Sequence, residues 1–194
     1  MRYVLAVTLL SFNTMVGAID NHTPPYPHVR VETNRGIFVL ELDGPRAPIT
    51  VANFLSYVAD GSYVGTIFHR VIPDFVVQGG GYAVDFEERP ARDAIPNESG
   101  NGLHNERGTI AMARLRPPHS ATRQFYINIG DNDALDPRPS RWGYTVFGRV
   151  IEGLDVLDDI AAVPTGPSGA LPSDVPQAPV LIESISLVGD EDGE

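Results

Sequence analysis

Phe68-His69-Arg70-Val71-Ile72-Pro73-Asp74-Phe75-Val76-Val77-Gln78-Gly79-Gly80-Gly81 governs how the rest of this chain is read. Residues 67–72 and 75–78 alternate around β-branched and aromatic side chains, the pattern of two strands. Between them Pro73 fixes φ for the second position of a tight turn, and Asp74 tolerates the strained third. The three glycines let the backbone bend or lie close to a neighbour. An arginine in the middle of an apolar run is the unusual feature. Side chains alternate along a strand, so Arg70 is expected on the face opposite His69 and Val71. A lone arginine there ordinarily snorkels from a sheet or pairs with a surface carboxylate. The company of Phe75 and Gln78 weighs against that reading.

On either side of this pair the elements are short. Residues 29–32 and 37–42 are strand candidates joined by Asn34-Arg35-Gly36, a good hairpin turn. Pro48 opens a helix in which Val51, Phe54, Leu55 and Val58 share one face, and Gly61 follows its end. Residues 82–105 are polar and irregular, a long surface excursion. Strands are expected over 109–113, 124–129 and 144–150, and a second helix over 154–161. Residues 164–179, rich in Pro and Gly, read as loop, and 180–188 as a closing strand. No internal repeat or second domain is visible.

With 194 residues, 19 of them Gly and 17 Pro, the chain suits one mainly β domain with many turns. A formal net charge of −11 argues against nucleic acid as a partner. Residues 1–18 have the pattern of a secretory signal: Met1-Arg2, then a mostly apolar run, then Val16-Gly17-Ala18 as a cleavage site. The run is too short and interrupted to span a bilayer well, so no membrane association is expected once it is removed. Residues 19–28 read as linker, 29–188 as the domain and 189–194 as a disordered acidic tail. An exported chain without cysteine suits a bacterial periplasm, with secretion as the alternative address.

The order of motifs resembles the cyclophilin family of peptidyl-prolyl cis-trans isomerases in its short bacterial form. The pieces that carry the resemblance are Phe54, the run 65–73, Gln78-Gly79-Gly80, Asn101-Gly102-Leu103, the run 107–113, residues 124–128 and Val146-Phe147-Gly148. It implies a closed eight-stranded antiparallel barrel capped by two α-helices, with substrate on the outside. It also implies catalysis of X-Pro bond rotation, in exported proteins and as an aid to their folding.

Position by position, the resemblance gives Arg70 the role of catalytic cation, with Gln78 steadying it and holding the substrate carbonyl region. Phe75, Val76, Tyr126 and Leu135 are implied to form the proline pocket. The backbone of Ala111, Met112 and Ala113 is implied to bind the residue before proline, with His69 and Tyr144 peripheral. Three positions depart from the common pattern. Val76 stands for methionine, Tyr126 for phenylalanine, and Ala134 for a large aromatic that often covers the site. Loss of that aromatic implies weak binding of cyclosporin. The expected partners are proline-containing unfolded or flexible polypeptides, and the expected state is a monomer.

The chemistry matches those residue types. Resonance slows rotation about the peptide bond. In the twisted transition state the proline nitrogen regains a lone pair, which a fixed guanidinium stabilises. No cofactor or metal is required, and the five histidines show no metal-ligand spacing. Gly79-Gly80-Gly81 lacks the third glycine of a dinucleotide fingerprint, with Val84 in its place. Ser120 beside His119 lacks a nucleophile elbow. The remaining alternative is a non-catalytic proline-peptide-binding or holdase module; the presence of Arg70 with Gln78 argues for an enzyme.

Overall fold

The computed structural model describes residues 23–169 and 171–189; the expected signal segment and most of the acidic tail lie outside them. Strands β1 (His28–Thr33), β2 (Gly36–Leu42), β3 (Thr66–Ile72), β4 (Val76–Ala83), β5 (Thr109–Met112), β6 (Phe125–Asn128), β7 (Val146–Glu152) and β10 (Ile182–Leu187) form one antiparallel sheet. Its order is β10-β1-β2-β7-β5-β6-β4-β3. The two edges meet: Phe68 N–H donates to Val180 O at 2.9 Å, and Gly65 N–H to Ile182 O at 2.9 Å. The result is a nearly closed barrel, which leaves little edge for unwanted pairing.

Two helices cap the barrel, α1 (Pro48–Ala59) and α2 (Leu154–Ala161). No side chain at Ala47 caps α1. Glu98, from the irregular excursion, accepts instead from Ile49 N–H, Thr50 N–H and the Thr50 hydroxyl, the last at 2.7 Å. A carboxylate there also suits the positive end of the helix dipole. The apolar face of α1 sends Phe54 into a cluster with Tyr63, Phe125 and Phe147, ring centroids 5.2–5.5 Å apart. That aromatic packing fills the barrel interior, so a ligand must use the outer wall.

Three expectations need revision. Residues 164–179 are not all loop: β8 (Thr165–Ser168) and β9 (Leu171–Pro176) make a separate two-stranded hairpin. Pro and Gly hid it because they carry no alternation, yet an edge ribbon tolerates them. Strand β4 also runs on through the glycines to Ala83. The last part of the expected linker lies on the barrel, with Gly44 N–H donating to Pro25 O and Leu42 N–H to Pro27 O. Among the described residues no helix is long and apolar enough to cross a membrane.

Candidate active site

The turn after β3 forms as its residues dictate. Phe75 N–H closes onto Ile72 O at 3.2 Å, and Asp74 takes φ 58°. The pairing of β3 with β4 skips His69, so that Phe68 faces Gly79 and Arg70 faces Gln78. This bulge resets the alternation. Phe68 and Val71 both enter the core, while His69 and Arg70 both border an outer groove of about 560 Å³. Arg70 therefore lies opposite Val71 but not opposite His69, a correction to strict alternation.

The glycines of β4 are required by their neighbours. Gly80 has φ +82°, and a Cβ there would stand 2.9 Å from Phe125 and Tyr63 ring carbons. A Cβ on Gly81 would be 2.6 Å from the side chain of Gln124. That space seats Gln124 beside the site. Gln124 Oε1 accepts from Gln78 Nε2 at 3.0 Å, and Gln78 Oε1 in turn accepts from Arg70 Nη1 at 3.4 Å.

The Arg70 guanidinium carbon stands 5.8 Å from the centroid of the Phe75 ring, a cation–π contact that ties it to the apolar surface beyond. That surface is a second apolar cluster, outside the barrel core. Val76, Ala111, Tyr126 and Val146 form its buried floor, with Phe75, Leu103, Ala113, Leu135 and Tyr144 half-buried around it. The Tyr126 hydroxyl, extra relative to phenylalanine, donates to Asn105 Oδ1 at 2.7 Å. Burial pushes its pKa well above the ordinary value, so it stays a donor. Asn105 is fixed in turn by Asp136, which accepts from both its backbone and side-chain N–H at 2.8 Å. Burial pushes the Asp136 carboxyl up, but hydrogen bonds from Asn105 and His104 outweigh it and hold the group below the usual carboxylate range.

Arg70, Gln78, Phe75, Val76, Tyr126, Leu135 and Ala113 thus gather on one stretch of outer wall. Tyr144 joins them, edge-on to Tyr126 at 5.9 Å and beneath the Arg114 guanidinium at 4.5 Å. His69 lies beside Arg70, packed edge-on against Tyr82 at 4.7 Å, and burial pulls its pKa down to about 4. It is neutral at pH 7, so it adds no second cation beside Arg70. Ala111 belongs to the floor, but the Met112 side chain faces the barrel core. Their strand is paired on both sides. Met112 N–H donates to Thr145 O at 3.0 Å and Ala113 N–H to Gln124 O at 2.9 Å, so neither donor is free for an incoming peptide.

Sequence reasoning passed over Gln124, Asn105 and Asp174. Gln124 was accessible, since it shares one face of its strand with Tyr126. Asn105 sits in irregular chain and Asp174 in a Pro- and Gly-rich run, where no period marks them.

The site thus sets a guanidinium at the lip of a shallow apolar cup, with the hydroxyls of Ser120, Thr122 and Ser173 along the adjoining groove. Residues 28–187 match the family model for cyclophilin type peptidyl-prolyl cis-trans isomerase. The chain is 52% identical over 164 residues to peptidyl-prolyl cis-trans isomerase cyp18 of Streptomyces antibioticus, covering 83% of this chain and 98% of the relative. It is 48% identical over 162 residues to peptidyl-prolyl cis-trans isomerase B of Escherichia coli, covering 82% and 98%. A crystal structure of a Cryptosporidium parvum cyclophilin type isomerase in the presence of the dipeptide Ala-Pro superposes with a TM-score of 0.68 at 26% identity, covering 84% of this chain and 99% of that one. The chain belongs to the cyclophilin-type peptidyl-prolyl cis-trans isomerases.

Proposed function

We propose that this isomerase acts on exported polypeptides and assists their folding, with Arg70 as the cation that lowers the rotation barrier. The observation that carries the reading is Arg70 braced by Gln78 over Phe75 at the lip of the cup. The proline ring sits on Phe75, Val76, Tyr126 and Leu135. The guanidinium then meets the nitrogen as the X-Pro bond twists and resonance is lost. Among the described residues neither Nη2 nor Nε of Arg70 has a hydrogen-bond partner; Nε faces the Asp174 carboxylate at 4.0 Å, and Nη2 is the nitrogen this reading presents to substrate. Because the lone pair exists only in the twisted state, the contact favours that state over either planar isomer. A protease-coupled assay on a proline tetrapeptide tests the activity; a rate equal to the uncatalysed one, with native circular dichroism, defeats the proposal.

The proposal of export is supported by the charged start, apolar run and small residues of positions 1–18. Mass spectrometry of the native protein is expected to give a chain beginning near Ile19 in a periplasmic or extracellular fraction. An intact Met1 in the cytoplasm defeats that part alone. We take the enzyme to act as a monomer.

Weak cyclosporin binding follows from Ala134. A missing aromatic contact costs roughly 1.5–3 kcal/mol, or ~10–100-fold in affinity. Trp142 does not replace it, because its ring packs edge-on against His119 at 5.2 Å and its carbonyl accepts from Arg114. Titration calorimetry is expected to show weak binding by the unmodified protein and a gain for Ala134→Trp. Tight binding without that gain refutes the expectation.

A further inference from the structure

The β8–β9 hairpin brings a carboxylate to the Arg70 cation from outside the barrel sheet. Asp174 Oδ2 lies 4.0 Å from Arg70 Nε. Ser173 Oγ donates to the same Oδ2 at 2.9 Å, which orients the carboxylate. Asp174 sits at φ 61°, an uncommon region for a side-chain-bearing residue, and Ser173 and Asp174 line the groove with His69, Arg70 and Gln78. Among the described residues it is the only carboxylate paired with Arg70; Glu88 lines the same groove without reaching it.

We propose that Asp174 is a positioning residue, holding the Nε edge of Arg70 so that Nη2 faces the bond that rotates. The guanidinium has three supports, each using a different part. Gln78 takes Nη1, the Phe75 ring lies against the cation, and Asp174 faces Nε. The Gln78 contact is long at 3.4 Å and the Arg70 side chain is 39% exposed, so neither Gln78 nor Phe75 locks it; Asp174, at 4.0 Å too far for a hydrogen bond, adds a charge attraction that biases the Nε edge toward the hairpin. A half-exposed ion pair adds little to folding stability. Its effect falls on geometry, where a small misplacement of a reacting group costs much of the rate.

The inference rests on Arg70 as the reacting cation, and the test separates the two. Asp174→Asn removes the charge while Asn still accepts a positive φ. Expected is a kcat lowered about 5–10-fold with KM nearly unchanged and an unaltered melting temperature, with Asp174→Glu restoring part of the loss. Raising NaCl from about 0.05 to 1 M is expected to lower wild-type kcat toward that of the Asn variant, whose own rate changes little, because salt screens the pair. Equal kcat for wild type and Asp174→Asn, with Arg70→Ala inactive, overturns the role of Asp174 alone. Normal turnover by Arg70→Ala overturns both. A loss in Asp174→Asn accompanied by a lower melting temperature and no salt effect in the wild type assigns Asp174 a structural role and also overturns the proposal.

Discussion

Arg70→Ala is expected to lower kcat/KM by about 10²–10³ while the barrel remains folded. Preorganised donors aimed at developing charge are worth on the order of 3–4 kcal/mol in rate. The reference reaction is slow, with rotation over roughly 10–100 s, so a loss of this size is readable above background. Folding is spared because Arg70 projects from the outer wall and is 39% exposed. Its pairs with Asp174 and Gln78 are long, at 4.0 and 3.4 Å, and such contacts at a surface contribute little to stability. Some acceleration is expected to survive, because on the proposed reading the cup of Phe75, Val76, Tyr126 and Leu135 still holds the proline ring. Arg70→Lys should fall between, keeping a positive charge but losing the planar fork that Gln78 and Phe75 hold. The measurement pairs the protease-coupled assay with circular dichroism of the same samples. Near-normal turnover in a folded Arg70→Ala protein removes Arg70 from the mechanism.

The parts of this site that were legible in the sequence are those that alternation and turn chemistry encode. Pro73-Asp74 specified a tight turn, and Asp74 does adopt φ 58° there. The α1 face was readable from Val51, Phe54 and Val58, all buried, because helical period leaves a direct trace. The bulge at His69 was not readable. Nothing in Phe68-His69-Arg70 marks an extra residue on β3, and a second irregularity lies next to it on β4, where Gly80 and Gly81 stand between the partners of Phe68 and Ile67. The extra residue on β3 is what lets His69 and Arg70 share a groove. The β8–β9 hairpin escaped for the opposite reason. Its strands contain Pro and Gly, and their pairing follows from docking beside β3 rather than from local preference. The proline cup required both kinds of information. Its residues come from β4, β5, β6, β7 and the segment at Leu135, and only closure of the sheet brings them together.

Arg123→Met is expected to destabilise the fold by on the order of 3–5 kcal/mol, with little change in turnover at low temperature. Arg123 is 3% exposed. Its Nε donates to Gly80 O at 2.7 Å, Nη1 to Pro90 O at 2.8 Å and Nη2 to Ser62 O at 2.6 Å. The guanidinium also lies over Tyr57 and Tyr63, at 5.1 and 5.5 Å from their centroids. One side chain thereby ties the approach to β3, the glycine bend of β4 and the start of the excursion into a single body. Among the described residues no carboxylate pairs with it. Two effects oppose each other in the substitution. Methionine removes a charge whose burial is unfavourable, which helps. It also leaves three backbone carbonyls without donors, at about 1–3 kcal/mol each when water cannot reach them. The second effect dominates, because methionine supplies no donor and the carbonyls come from three different segments. For a domain of this size each kcal/mol shifts the melting temperature by about 2–4 °C, so a fall of roughly 6–20 °C is expected by differential scanning calorimetry. Arg123→Lys keeps the charge but reaches fewer of the three carbonyls, and it should melt between the two. A melting temperature within about 2 °C of wild type for the methionine variant would mean that the three carbonyls find other partners, and that this arginine does not fasten the barrel to its long excursion.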